Sequence, residues 1–449
     1  MSESKPKKVI KSALKGSISQ IETTVDTVEQ SSSKNIQFRI FVGSYEHNLL
    51  CLSVILDPTN TKEPVFQPIF HFQAHSLSIK TIDLAKRYLV TGSNDEHIRI
   101  YDLQKRKELG TLLSHQGTIT ALKFSKEVDS TTDSSTSDNL HSGKWLLSGS
   151  EDGKIIIWRT KDWEIFATLK GHTKRINDLA IHPSGKVAIS VSDDQTIRLW
   201  NLLTGKKASV LKLKGKDHLG QSGQFVKWSI DGQYFIVGLL NQILFYKTSN
   251  GKIFKKLKFK STIMSMEILK YNDGKDDIDE WLVIGLGDGS IGFYDFKSII
   301  DSKTEEDEEE KLWDSKPEEI EPIFKLQGHT NRIKNFYFLQ SPITDNIPIL
   351  SSVSSDGKIV IWNLKIRDQV AIYDTGERLN CIVCAPEHIE KLETMKRRIE
   401  ETPLDVSESE YETDGEEISK IMNGSKKQNK KNKKLKNKNK KRKVNVTLE

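Results

Sequence analysis

Short apolar runs recur along the chain, and each one ends in an aromatic residue six positions after an aspartate. Runs such as 155–158, Ile-Ile-Ile-Trp, are typical of β-strands, and an Asp-Gly pair before the run is typical of a hairpin turn. The pairs that share this spacing are Asp95 and Tyr101, Asp152 and Trp158, Asp194 and Trp200, Asp288 and Tyr294, and Asp356 and Trp362. The pattern predicts a repeat protein in which each unit closes a strand after a tight turn.

A histidine and a serine or threonine accompany four of these pairs. The histidine opens the unit, a β run leads to the hydroxyl residue, and the turn aspartate follows four residues later. The sets are His75, Thr91, Asp95 and Tyr101; His115, Ser148, Asp152 and Trp158; His172, Ser190, Asp194 and Trp200; and His329, Ser352, Asp356 and Trp362. Serine, histidine and aspartate also make up hydrolase triads, but an active site is needed only once. Because the set recurs, we interpret it as a buried network that pins each turn to the neighbouring strand.

Units of this kind cannot cover their apolar faces alone, so they must stack around an axis. We therefore predict an all-β fold, a seven-bladed propeller. Two units are degenerate: one runs from Asp217-His218 through Asn241 to Tyr246, and the other, around Met264 to Tyr294, keeps Asp288 but lacks the histidine. Six or eight blades would require that one of these two units is misread.

The first blade, at residues 36–56, contains only two strands before an edge strand at 65–72, so it lacks an innermost strand. The apolar run 378–385 follows the last complete blade and has no other partner. We expect this run to complete the first blade and so remove an open sheet edge.

Composition divides the 449 residues into a propeller, at 36–385, and several charged or polar segments. These are a flexible N-terminal arm at 1–35, a Ser/Thr-rich loop at 127–143, an acidic insert at 299–320, a probable helix at 386–401, an acidic disordered segment at 402–425 and a polybasic tail at 426–449. The first residues are polar and no apolar run approaches the roughly 18 residues of a membrane span. We expect a soluble intracellular protein.

The tail holds most of the positive charge. Residues 426–443 contain twelve Lys or Arg and no acid, whereas the whole chain carries only +6, so the rest is net acidic. The basic residues are Lys426, Lys427, Lys430, Lys431, Lys433, Lys434, Lys436, Lys438, Lys440, Lys441, Arg442 and Lys443. Without aromatic residues the tail cannot stack on bases, but it can neutralise RNA phosphates or serve as a nuclear address. A solubilising tail and a membrane-surface tail are the alternatives.

Two acidic regions carry candidate regulatory chemistry. The run 305–310, followed by Trp313, is either a solvated loop or a contact for a basic partner. Ser407, Ser409 and Thr413 each precede a glutamate by three residues, the pattern that an acid-directed kinase favours. Phosphorylation there would add negative charge beside the tail and weaken its RNA contact.

Cys381 and Cys384 lie in a run predicted to be extended. Three residues apart on a strand, their side chains point to opposite faces, and their Cα atoms are too far apart for a disulfide. We expect buried, reduced thiols. No phosphate-binding glycine loop, zinc-type cysteine set or His-Glu-x-x-His motif is present in the sequence, so we expect a non-enzymatic protein without metal or cofactor.

Candidate partner-binding residues stand just before the first apolar position after each histidine. They are Ser78, Thr118, Arg175 and Arg332, and we expect them at the top rim of the propeller. The planar fork of arginine suits carboxylate or phosphate partners, although Arg175 and Arg332 could equally do no more than solvate the rim.

Several segments resemble a known family. Gly171-His172, the stretch 148–153 and the stretch 197–200 resemble WD40 repeats, whereas 42–46, 87–96, 108–112 and 177–186 resemble the yeast maintenance-of-killer WD-repeat protein and the animal PAK kinase-interacting proteins. The resemblance spans residues 36–386. It implies a nucleolar assembly factor for the large (60S) ribosomal subunit, a monomer bound to pre-ribosomal proteins and assembly factors. The alternative is a negative regulator of a PAK-type kinase.

A ubiquitin-ligase substrate receptor is disfavoured. Such a receptor would usually show an acidic residue after the tryptophan and an arginine two positions further on. The sequences after Trp158, Trp200 and Trp362 lack this pair.

Overall fold

The computed structural model describes residues 35–57, 63–125, 143–213, 220–271, 279–301, 317–339 and 347–390. Within these ranges the strands form seven sheets, and neighbouring innermost strands contact one another all the way round. The predicted seven-bladed all-β propeller is confirmed. No helix in the described ranges is long and apolar enough to cross a membrane.

The first blade consists of one strand from the C-terminal end of the propeller and three from the N-terminal end. Its strands are β1 (Ile36–Ser44), β2 (Asn48–Leu56), β3 (Val65–Gln73) and β29 (Leu379–Pro386). β29 runs antiparallel to β1, with Ile40 opposite Cys384 and Val42 opposite Ile382. The predicted closure is therefore confirmed, and the closing strand spans 379–386.

Blades two to four are regular four-stranded meanders. Their strands are β4 (Ile79–Ala85), β5 (Tyr88–Ser93), β6 (Ile98–Asp102) and β7 (Lys107–Leu112); β8 (Ile119–Phe124), β9 (Trp145–Ser150), β10 (Lys154–Arg159) and β11 (Glu164–Lys170); and β12 (Ile176–Ile181), β13 (Val187–Ser192), β14 (Thr196–Asn201) and β15 (Lys206–Lys212). The Ser/Thr-rich loop 127–143 lies outside the described residues except for Gly143.

Blades five to seven include the two degenerate units. Their strands are β16 (Phe225–Trp228), β17 (Tyr234–Gly238), β18 (Gln242–Lys247) and β19 (Ile253–Lys258); β20 (Ile263–Tyr271), β21 (Asp279–Leu286), β22 (Ser290–Asp295) and β24 (Phe324–Gln327); and β25 (Ile333–Leu339), β26 (Ile349–Ser354), β27 (Lys358–Asn363) and β28 (Asp368–Asp374). Blade five stacks Phe235 on Tyr246 with ring centroids 4.7 Å apart, whereas Asp217 and His218, with which this unit begins, lie outside the described residues.

Both flanks of the acidic insert are part of the fold. Helix α1 (Phe296–Asp301) buries Phe296 and Ile299 in the core between blades five and six. Strand β23 (Glu318–Glu319) pairs in parallel with β19 and makes the fifth blade five-stranded, and Lys255 lies 3.5 Å from Glu318. The acidic run 305–310 and Trp313 lie outside the described residues.

The apolar core lies between neighbouring blades, because alternate residues of a strand point to opposite faces. In β1, Ile40 and Val42 pack toward blade seven, whereas Phe41 packs toward blade two. Cys381 and Cys384 divide in the same way, and both are free, buried thiols, as predicted. Burial raises the pKa of each to about 12.

The described chain ends just after the closing strand. A 3-10 turn at Glu387–Glu390 follows Pro386, and Glu387 lies 3.5 Å from the buried Arg39. A helix was predicted at 386–401, but Pro386 belongs to β29 and Glu387–Glu390 form this 3-10 turn. The remaining residues, 391–401, lie outside the described residues. Residues 1–34 of the arm, the acidic segment, Ser407, Ser409, Thr413 and the tail also lie outside the described residues.

Candidate binding face and the networks that shape it

The recurring polar set forms a single hydrogen-bonded chain within each regular blade. In blade four, Nε1 of Trp200 donates to Oγ of Ser190 at 2.8 Å, Ser190 lies 2.7 Å from Nε2 of His172, and Nδ1 of His172 lies 2.9 Å from Asp194. An indole N–H can only donate, so the serine accepts it and gives its own proton to Nε2. The imidazole is then neutral and donates from Nδ1 to the carboxylate.

Blades three and seven contain the same chain. Ser148 accepts from Trp158 at 2.8 Å and lies 2.8 Å from His115, while Ser352 accepts from Trp362 at 2.8 Å and lies 2.9 Å from His329. The two histidines lie 3.3 and 3.1 Å from Asp152 and Asp356. The side chains of these histidines are at most 1% exposed, so they cannot reach a substrate.

Blade two has a variant of the network. His75 lies 2.7 Å from Thr91 and 2.9 Å from Asp95. Tyr101 takes the place of the tryptophan, and its buried hydroxyl forms no hydrogen bond of normal geometry with the described residues. Burial raises the pKa of Tyr101 to about 12, so the phenol stays neutral.

Burial sets the protonation of the four histidines. It lowers the pKa of His75, His115, His172 and His329 and outweighs the attraction of the aspartate beside each ring. Burial alone would raise the pKa of the aspartates, but hydrogen bonds from the turn backbone and the histidine hold it below the usual range. Each network therefore contains a neutral histidine and a charged aspartate.

Each aspartate also joins two loops. Asp194 accepts the backbone N–H of Thr196, in its own turn, and that of Thr173, in the loop before the innermost strand. Together, the turns between second and third strands and the loops before the innermost strands form one end of the blades, the top face. The networks therefore hold the top face rigid.

The innermost strands are also cross-linked to one another. Asp83 of β4 accepts the backbone N–H of Phe124, and Asp178 of β12 accepts that of Val226 at 3.0 Å. Lys227 lies 2.7 Å from Glu267 on the next innermost strand. Although burial would lower the pKa of Lys227, Glu267 and Asp178 outweigh it and raise that pKa. These contacts fix the ring from within.

The four predicted partner-binding residues differ in exposure. Arg175 and Arg332 are exposed on the top face, Thr118 is half-buried, and Ser78 is buried and accepts a hydrogen bond from Asn94 at 2.7 Å. The two arginines are therefore available to a partner, whereas Ser78 is part of the fold.

Sequence reasoning missed three further cations. Arg378 precedes β29 as Arg332 precedes β25, and Lys80 and Lys334 are the second residues of β4 and β25. The equivalence of Arg378 follows from the predicted closing strand, so the sequence contained a signal for it. These cations line a top-face cavity of about 690 Å³ together with Tyr45 and Asn380. We call this cavity the channel mouth.

No group of three or more His, Cys, Asp or Glu side chains that could hold a metal ion occurs among the described residues.

The fold, the repeated buried network and the rigid top face define the chain as a WD40-repeat propeller of the scaffold type. The WD domain, G-beta repeat family matches residues 66–102, 106–159 and 163–201. Each match begins near an outermost strand and ends in the third strand of the next blade, so the sequence repeat straddles two blades.

Comparison with curated proteins extends the match to nearly the whole chain. Protein MAK11 of Saccharomyces cerevisiae is 52% identical over 423 residues, which cover 92% of this chain and 98% of that protein. The p21-activated protein kinase-interacting protein 1-like of Gallus gallus is 32% identical over 70% of this chain and 72% of its own length. Shk1 kinase-binding protein 15 of Schizosaccharomyces pombe is 24% identical over 83% and 95%. The chain belongs to the family of MAK11 and the p21-activated protein kinase-interacting proteins, as the resemblance predicted.

Proposed function

We propose that this protein is a non-enzymatic scaffold for assembly of the large (60S) ribosomal subunit in the nucleolus. The propeller docks protein partners, and the tail, residues 426–449, provides nucleolar targeting and contacts RNA without reading its sequence. One observation carries the proposal: the chain outside the tail, which contains the docking propeller, is net acidic, and it is joined to a run of twelve Lys or Arg residues. The family resemblance directs this combination to the large subunit.

Deletion of residues 426–449 tests the proposal. We expect the shortened protein to leave the nucleolus and to cosediment less with precursors of the large subunit. A matched control replaces the tail with an unrelated nuclear import signal, which separates import from retention on RNA. Unchanged nucleolar location and unchanged sedimentation of the deletion protein would contradict the proposal.

A second candidate function is negative regulation of a PAK-type kinase. It is favoured by the names of two relatives, a p21-activated protein kinase-interacting protein and a Shk1 kinase-binding protein. This function would require the propeller alone. Purified protein without residues 426–449 should then bind and inhibit such a kinase as well as the full chain does. Absence of inhibition by both proteins would exclude this candidate.

A further inference from the structure

The packing of neighbouring innermost strands brings four cations together at the channel mouth. The innermost strands β25, β29 and β4 are neighbours, and each begins with a buried apolar residue, namely Ile333, Leu379 and Ile79. The flanking cations Arg332, Lys334, Arg378 and Lys80 line the same cavity. Residues far apart in sequence therefore form a single positive cluster.

The cations of this cluster have no paired acid in the described chain, although Asp288 lines the same cavity and Glu151 attracts Lys80. None of its four cations forms an ion pair with a described carboxylate, and Arg332 donates instead to Oγ of Ser355 at 3.4 Å. Burial lowers the pKa of Lys80 and Lys334, and neighbouring cations lower it further: Arg175 acts on Lys80, and Arg332 acts on Lys334. An incoming anion would relieve this mutual repulsion.

The nearby acids are already engaged with other groups. Glu377 accepts from Asn48 at 2.7 Å and lies 2.9 Å from His71. Asp288, which also lines the cavity, accepts from Ser261 and Ser290. Neither carboxylate forms an ion pair with the four cations, and Asp288 is the one carboxylate that lines the cavity among the described residues.

We infer that the channel mouth binds an acidic segment of a protein partner, with consecutive Asp or Glu side chains entering between Arg332, Lys334, Arg378 and Lys80. The inference rests on the proposed docking function and names its site and the chemistry of its partner. Arginine forks bind carboxylates in a bidentate manner, and the two lysines add positive charge to the same cavity. The cavity volume lies within the range of ligand-binding clefts.

Two features favour an acidic peptide over RNA. The cations converge in a concave mouth instead of following a groove along which a phosphate backbone could run. Tyr45 is the one aromatic residue that lines the cavity among the described residues, whereas single-stranded RNA sites use rows of stacking aromatics.

The test uses the full-length protein and three labelled probes: a Gly/Ser-flanked peptide of six glutamates, the same peptide with glutamines, and a 12-nucleotide oligouridylate. The test variant combines Arg332→Glu with Lys334→Glu. The control combines Lys206→Glu with Lys207→Glu, which makes the same charge change at exposed positions of the outer strand β15. Because the tail is identical in both, any difference between them reports on the channel mouth.

We expect the mouth variant to bind the glutamate peptide about tenfold or more weakly, and the control to change less than about twofold. Carbodiimide should cross-link the peptide to Lys80 or Lys334. Three outcomes would each overturn the inference. The two variants could lose affinity for the glutamate peptide equally, or the glutamine peptide could bind as tightly as the glutamate peptide. The mouth variant could also lose oligouridylate binding in parallel with peptide binding. Thermal unfolding checks that both variants are folded. Sedimentation of the tail deletion tests ribosome assembly separately, so either idea can fail alone.

Discussion

Arg39 of β1 and Glu387, just beyond the last strand, form an ion pair of 3.5 Å between chain segments almost 350 residues apart in sequence. Between them, β1 and β29 pair from Phe38 opposite Pro386 to Ser44 opposite Leu379. The ring is thus held closed by the backbone pairing of β1 with β29 and by the ion pair at the end of these strands.

The closing strand should therefore contribute strongly to stability. Ile382 is 3% exposed and packs in the core between blades one and seven. Ile382→Ala should lower the free energy of unfolding by about 2 to 5 kcal/mol, because it leaves a cavity in a packed core. Denaturant unfolding measures the loss. Ile372→Ala is the matched control, since Ile372 is 46% exposed on the outer strand β28. Equal losses at the two positions would show that β29 does not hold the ring.

The buried network should act on stability. Ser190→Ala removes the acceptor of Trp200 and the donor to His172, and leaving these buried groups unpaired should cost about 1 to 3 kcal/mol. Ser209→Ala, at an exposed position of β15, is the control and should change stability by less than about 0.5 kcal/mol. Calorimetry of both variants compares them. A loss of partner binding in a Ser190→Ala protein of unchanged stability would contradict the structural role.

Acid should unfold the protein in two stages. The histidine pKa values lie below the ordinary 6.5 in the folded state, so the unfolded chain binds more protons as pH falls through about 6.5. The aspartate pKa values lie below 3.8, so a further loss follows as those carboxylates protonate near that pH. Melting temperature should fall from pH 7 toward pH 4. His172→Asn should flatten the first stage, and a melting temperature that rises on acidification would refute the argument.

The thiols should be inert in the folded protein. Cys51, Cys381 and Cys384 are all buried and form no disulfide, and burial raises the pKa of the last two to about 12. A thiol reagent at pH 8 should label none of the three in native protein and all three after denaturation. Rapid labelling of native protein, or a disulfide between Cys381 and Cys384 in a mass spectrum, would contradict this expectation.

Phosphorylation of the acidic segment should weaken RNA binding. Aspartate at Ser407, Ser409 and Thr413 adds negative charge near the tail, which then competes with RNA phosphates for the same lysines. The variant should show lower RNA affinity and a smaller dependence of that affinity on salt. Alanine at the same three positions is the control. Identical affinity and salt dependence in both variants would rule out the competition.

The sequence predicts the regular blades well because their turns require specific residues. The Asp-to-Trp spacing marks the third strands, and the strand missing from blade one predicts β29 as the closing strand from the sequence alone. Blade five gives a weaker signal, since its stack of Phe235 on Tyr246 needs only aromatic residues on strands. The pairing of β23 with β19 is invisible to local pattern, because an acidic pair, Glu318 and Glu319, has little strand propensity of its own.

The channel mouth was only half predictable. The position before each innermost strand identifies Arg332, and the same position before β29 gives Arg378. Lys80 and Lys334 join them because β4 and β25, which are more than 200 residues apart in sequence, both pack against β29. Ser78 was predicted at the rim as a partner-binding residue, but it is buried and its hydroxyl accepts a hydrogen bond from Asn94.

The pairing of β1 with β29 means that the propeller can close only late in its synthesis. Every other blade can form before the ribosome has translated Pro386, but until then β1 exposes an unpaired edge to the crowded cytosol. A message truncated anywhere upstream would yield a chain with that edge left open, prone to pairing with foreign strands. Translation of β29 is thus the step that separates a closed propeller from an open fragment that is prone to aggregate.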